Sequence, residues 1–117
     1  MTSAMHTSRD VILRTEAWEE ATTFYGAVLG LRVSHRSDTL MGFETGSFCL
    51  YVEKGEGHGP VFDFLVSDVQ ATKHRLVAEG CVVVEEDASV PRCYLRDRFG
   101  LVFNLGRVAS APTVDGD

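Results

Sequence analysis

The chain has 117 residues, 44% of them hydrophobic and 24% charged, with a mean hydropathy near zero; this is the composition of one ordinary globular domain, not of a disordered or membrane-embedded segment. Eleven Lys and Arg against 17 Asp and Glu give a net charge of -6 without a basic run that could follow a phosphate backbone, so nucleic acid is not an expected partner. No apolar stretch approaches the roughly 20 residues that span a bilayer, and Met1–Ser8 lack the basic start and apolar run of a secretory leader. No membrane partner is therefore expected, and the cytoplasm is the expected compartment.

In chain order, Asp10–Thr15 alternates as a strand does, and Glu16–Leu29 then sets Trp18, Ala21, Tyr25, Val28 and Leu29 on one helical stripe that Gly30 closes. Strands are expected at Leu31–Arg36, Leu40–Thr45 and Ser47–Glu53, and a glycine-rich connection, Lys54–Pro60, follows. The order then repeats. A strand at Val61–Val66 leads to a helix that Ser67 and Gln70 could open as a capping box and Gly80 ends. Further strands are expected at Val82–Glu86, Arg92–Arg96 and Leu101–Gly106, the last two joined by an Asp97–Gly100 turn. A shift of 51 positions lays Leu13 on Phe64, Thr15 on Val66, Trp18 on Val69 and Tyr25 on Leu76. The expected domain spans 10–106, as a β-α-β-β-β module at about 10–53 and another at 61–106, with residues 1–9 and 107–117 as flexible ends.

Strand parity sorts the faces. Val11, Leu13, Phe48, Leu50, Val52, Phe62, Phe64, Val66, Leu101, Phe103 and Leu105 share the parity that packs beneath the helices. The opposite face is mixed, and it either meets water or curves around a ligand. Its polar and aromatic members Arg14, Tyr51, Glu53, Asp63, Tyr94, Arg96 and Asn104 are the candidate ligand contacts, because small-molecule pockets combine aromatic walls with a few polar groups. The competing reading pairs Arg14 with Asp63 or Glu53 as a structural ion pair. Trp18 reads as core, and Met41 and Phe43 as core or pocket wall. Cys49, Cys81 and Cys93 are odd in number and widely spaced, which suits buried free thiols better than disulfides or a redox pair. No His neighbours Cys49 or Cys93 in sequence to activate a nucleophile.

The stretch Phe24-Tyr25-Gly26-Ala27-Val28-Leu29-Gly30-Leu31 is similar to the FYxxxLGL signature of the vicinal oxygen chelate family, which includes glyoxalase I, extradiol dioxygenases, fosfomycin-modifying enzymes and bleomycin-binding proteins. Val66-Ser67-Asp68-Val69 resembles the opening of that family's second helix, and Asp97-Arg98-Phe99-Gly100 its DPDG turn. The resemblance implies an α+β fold in which two βαβββ modules form a cupped mixed sheet with helices outside, often in a homodimer. It also implies a divalent metal held by His and Glu at four strand positions, which here are Asp10, Cys49, Val61 and Asn104. A catalytic ion generally needs about three protein ligands, and this set offers one good hard ligand, Asp10. His58 stands three residues from Val61, in the loop and with the wrong parity.

The leading expectation is therefore a binding protein similar to the bleomycin-resistance branch, holding a small molecule, a cationic drug included, with no cofactor. The alternative is a metal-dependent lyase or dioxygenase of the glyoxalase type with a non-standard ligand set including Asp10 and Asp63.

Overall fold

A computed structural model describes residues 5–57 and 59–108. His58 and the outer parts of both expected flexible ends lie outside the described residues. The chain forms two compact units, Thr7–Asp63 and residues 64–108 with Met5 and His6.

In the first unit, β1 (His6–Thr15) is followed by α1 (Trp18–Thr23), a π-helical turn over Phe24–Val28, β2 (Arg32–Arg36), β3 (Leu40–Glu44) and β4 (Cys49–Lys54). The strands lie in the order β2-β3-β4-β1. β4 runs antiparallel to β3 and parallel to β1, with Asp10 opposite Cys49, Ile12 opposite Tyr51 and Arg14 opposite Glu53. Parallel pairing demands a long crossover between the two strands, which the helix, β2 and β3 provide. β1 starts at His6, ahead of the strand expected from Asp10, because polar His6–Arg9 extend the ladder without an apolar alternation to announce it. The expected single helix over Glu16–Leu29 is in fact α1 plus the wider turn, in which Leu29 N–H donates to the Phe24 carbonyl at 3.0 Å. Gly30 then takes φ +71°, where a side chain would strain.

Trp18, Met41, Phe43 and Val52 form the core of this unit, with Ala21, Tyr25, Leu31, Val33 and Leu50 packed around it. The Trp18 indole N–H reaches the Val52 carbonyl at 2.8 Å, so its one polar atom is satisfied. Met41 and Phe43 thus resolve as core.

In the second unit, β5 (Val61–Val66), which begins in the first, leads to α2 (Val69–Ala78), β6 (Val82–Asp87), β7 (Arg92–Arg96) and β8 (Val102–Arg107). The strand order is β5-β8-β7-β6, and the chain therefore has the expected α+β class with β-α-β-β-β written twice. Val66, Cys93, Leu95, Phe103 and Leu105 make its core, with the Phe64 and Phe103 rings 4.8 Å apart. The expected capping box at the start of α2 is replaced by a simpler cap: Asp68 is the N-cap and its Oδ1 accepts from Ala71 N–H at 3.0 Å. Asp68→Ala is expected to destabilise the fold by about 1 kcal/mol, read from urea unfolding, whereas Ser67→Ala has no cap to lose.

Phe48, Phe62 and Leu101 correct the expected apolar face, since each remains 37% exposed. Phe48 and Leu101 fall one residue before β4 and β8 begin, where strand parity no longer governs direction. Phe62 borders a cavity that Ser8 and Asp10 also line.

Candidate functional site

In the first unit the mixed face is built by alternate residues of neighbouring strands. Asp10 and Cys49 are cross-strand partners, as are Ile12 and Tyr51, and Gly42 of β3 lies opposite Tyr51. Asp63 of β5 adds a second carboxylate, which accepts a 3.0 Å hydrogen bond from Ser8 Oγ. Ser8 Oγ in turn accepts from Asp10 N–H at 3.0 Å, so one hydroxyl links the positions of both acids.

Burial, and then the charge of Asp63, push the Asp10 carboxyl up from the ordinary aspartate value. Among the described residues no hydrogen bond or ion pair holds that carboxylate; the adjacent Arg9 is engaged by Glu44 at 2.6 Å. Tyr51 lies beside it. Burial first, then a hydrogen bond shared with Cys49 and the nearby Asp10 charge, raise the phenol. Cys49 Sγ and Ser34 Oγ are 3.3 Å apart, and the His35 ring flanks Tyr51 with centroids 6.3 Å apart. The cluster is thus acidic, with an aromatic wall.

Gly42 is what allows Tyr51 to lie across β3. A Cβ there would stand 2.9 Å from Tyr51 Cε1 and 3.0 Å from Ser34 Oγ, closer than carbon atoms approach without displacement. Gly42→Ala is expected to push the ring off the strand into the site and to cost about 1–3 kcal/mol by overpacking. Urea unfolding, with Tyr51 ring shifts by NMR, checks both effects.

The Asp10 shift fixes a pH dependence. A carboxyl whose proton affinity is higher in the fold than in the unfolded chain stabilises below the unfolded value, near 3.8 for aspartate, and loses that stabilisation as pH rises through the folded value. Asp10→Asn is therefore expected to be more stable than the parent at pH 7, with the difference closing as pH falls below that value. Urea midpoints at several pH values would show it. Glu44 and Glu86 act oppositely, since their hydrogen bonds from Arg9 and Lys73 hold them below the ordinary range.

The remaining sequence candidates are placed as follows. Arg14 Nε pairs with Glu53 Oε1 at 3.1 Å, one of the two structural pairings that the sequence left open. In the second unit, Tyr94 is 2% exposed and lies under the Arg92 guanidinium, 5.4 Å from its ring centroid. Asn104 Oδ1 accepts from Cys93 N–H at 2.9 Å. Arg96 is exposed at the end of β7. The free thiols of Cys81 and Cys93 are pushed up chiefly by burial, which keeps them protonated and poorly nucleophilic.

Among the four positions at which the resemblance implies metal ligands, Val61 has no donor atom and is 3% exposed. The amide oxygen of Asn104 already caps a backbone N–H. Among the described residues no group of three or more His, Cys, Asp or Glu could hold an ion. Among the described residues, the side chains at these four positions do not supply the three ligands that a catalytic metal centre needs.

Sequence reasoning missed Ser8, Ser34 and Gly42. Ser8 shares the parity of Asp10 but fell before the expected strand. A glycine inside a strand is a signal of close approach, and Gly42 carried it.

A family model for the glyoxalase-like domain matches residues 10–106. The chain belongs to that family. It lies within the vicinal oxygen chelate superfamily. A glyoxalase/bleomycin resistance protein/dioxygenase superfamily member from Vibrio splendidus superposes with a TM-score of 0.62 at 16% identity, covering 90% of this chain and all (100%) of that one. A hypothetical protein from Bacillus halodurans gives 0.64 at 10% identity, covering 91% and 96%. A Mn(II)-bound glyoxalase from Novosphingobium aromaticivorans gives 0.57 at 18% identity, covering 86% of this chain and 38% of that one. At these identities the likeness is one of fold. No curated protein matches the chain. No helix among the described residues is long and apolar enough to cross a membrane.

Proposed function

We propose that this glyoxalase-like domain binds a small organic cation, a cationic drug of the bleomycin type included, without a metal ion. The observation that carries the reading is the Asp10 carboxylate: it lies beside Asp63 and Tyr51, and none of the described residues supplies it with a hydrogen bond or ion pair. A carboxylate half withdrawn from water and set near a second one carries a standing electrostatic cost, which an incoming cation removes. The Tyr51 ring adds a π face on which a delocalised cation can rest. The residues at the metal-ligand positions support the metal-free part, because sequestration needs shape and charge complementarity and no Lewis acid.

The test is a calorimetric titration of chelator-treated protein with benzamidine, using neutral benzamide and anionic benzoate as isosteres. The reading expects saturable binding of benzamidine at about one per chain, with affinity falling as pH drops through the raised Asp10 value, and much weaker binding of the isosteres. Equal binding of all three, or benzamidine binding only after a divalent ion is added, would sink it.

A further inference from the structure

On the face of the second unit that carries α2, the core stops short of the turn between β6 and β7. A cavity of about 380 Å³ opens there, between Val69 and Gln70 of the first helical turn and Ala88 and Pro91 of the hairpin turn. Its floor is Cys93 and Leu105, 4% and 2% exposed, and every residue that lines it belongs to this unit. Among the described residues no aromatic ring lines it, so its apolar surface is aliphatic carbon and sulfur. The volume lies near the lower end of the range of ligand pockets, roughly 300–1,000 Å³.

The charges at its mouth are not equally answered. Glu86, the cross-strand partner of Cys93, accepts from Lys73 Nζ at 3.0 and 3.2 Å and from the Gln70 side chain. Arg92 also borders the cavity, but its guanidinium meets Glu85 at 2.8 Å and lies 5.4 Å from the Tyr94 ring centroid. Arg107 differs from both. Alternation along β8 sets it on the side of Phe103 and Leu105, at the cavity, and among the described residues no hydrogen bond or ion pair holds its guanidinium. Burial keeps the Cys93 thiol protonated, so the floor adds no negative charge. Residues 64–108 carry six acidic and six basic side chains, so this unit does not share the chain's net charge of -6. We infer that this cavity binds a small aliphatic carboxylate, its anionic end on Arg107 and its hydrocarbon chain over Cys93 and Leu105. A guanidinium presents two parallel N–H donors to a carboxylate, and each methylene taken out of water adds to the affinity. An aliphatic chain fits better than a ring, because the walls offer nothing for a ring to stack on.

The probe is hexanoate, titrated into the full chain and followed by amide NMR, with neutral hexanamide as its isostere. Saturable shifts at Val69, Ala88, Cys93 and Arg107 are expected, with hexanamide at least about tenfold weaker. Arg107→Gln, at an exposed position where the fold loses nothing, is expected to weaken hexanoate at least about tenfold and to leave hexanamide as it was. Arg107→Lys, which keeps the charge without the fork, falls between the two. Cys93→Met, which brings a longer side chain into the cavity, is expected to weaken both ligands. Asp10→Asn is expected to leave hexanoate affinity unchanged, so that this site stands or falls apart from the cation site of the first unit. Absence of saturable shifts, equal affinity for hexanoate and hexanamide, or an Arg107→Gln variant that binds hexanoate as the parent does overturns the inference. So do shifts centred on Phe48 and Phe62, for then the chain follows exposed apolar surface in the first unit instead.

Discussion

Asp10→Asn is expected to weaken benzamidine binding by about 10–100-fold, the loss of one charge-assisted contact worth roughly 1.5–3 kcal/mol. Benzamide affinity should stay the same. The substitution keeps the side chain's shape and removes only its charge, so it isolates the carboxylate, whose elevated proton affinity records its burial and the neighbouring Asp63. The same variant is expected to unfold later than the parent at pH 7. Loss of binding together with a gain of stability is the signature of a group kept for a ligand, and a merely structural Asp10 would lose both together. Ser8 and Cys49 sit close to it, so Ser8→Ala is the control: it disturbs the Asp63 hydrogen bond without removing a charge.

Phe43→Ala is expected to be the most damaging single truncation in the first unit, at about 3–5 kcal/mol. The ring is 0% exposed, packed among Trp18, Met41 and Val52 and against Tyr25. A domain of this size has a net stability of about 5–15 kcal/mol, so the variant stands near the edge of folding at 37 °C. Urea unfolding with an unchanged slope and a lowered midpoint checks the magnitude. The effect reaches function indirectly, because β3 and β4 carry Gly42 and Tyr51 on one face and Phe43, Leu50 and Val52 on the other.

Much of this architecture was legible in the chain itself. The period-2 stretches at Val61–Val66 and Arg92–Arg96 are strands over the ranges expected, and the repeat separated by the glycine-rich connection is the repeated β-α-β-β-β order. Trp18 reads correctly because its stripe spacing and its size both demand burial. What escaped was local and polar. His6–Arg9 have no apolar alternation, so nothing distinguished the start of β1 from a tail. The π-helical turn leaves Val28 and Leu29, expected on the buried stripe, 68% and 53% exposed, and nothing in the periodicity announces that change. Ser67 and Gln70 fitted a capping box, yet Asp68, one residue later, is the stronger acceptor and takes the cap.

The candidate site was legible to the extent that parity decides faces. Parity put Tyr51 and Asp63 on the mixed side with Asp10, and it paired Arg14 with Glu53 as one of two expected alternatives. It could not foresee that Tyr51 lies over Gly42, because that depends on cross-strand register, which the sequence leaves open. Nor could it foresee the cavity beside Phe48 and Phe62, since a sequence pattern names the residues of a face but not how completely a helix fills it. Val61, by contrast, needed no structure: an aliphatic side chain at a metal-ligand position is informative wherever the strand lies.

The central claim, cation binding without a metal, is tested most directly by loading. Protein purified without chelator is incubated separately with Zn²⁺, Ni²⁺, Mn²⁺ and Fe²⁺, desalted and analysed for bound metal. The account predicts less than about a tenth of an equivalent per chain with every ion, because Val61 and Asn104 leave too few ligands for a three-ligand site. About one equivalent with any of them, lost in Asp10→Asn, would contradict it and assign Asp10 to a metal centre of the glyoxalase type.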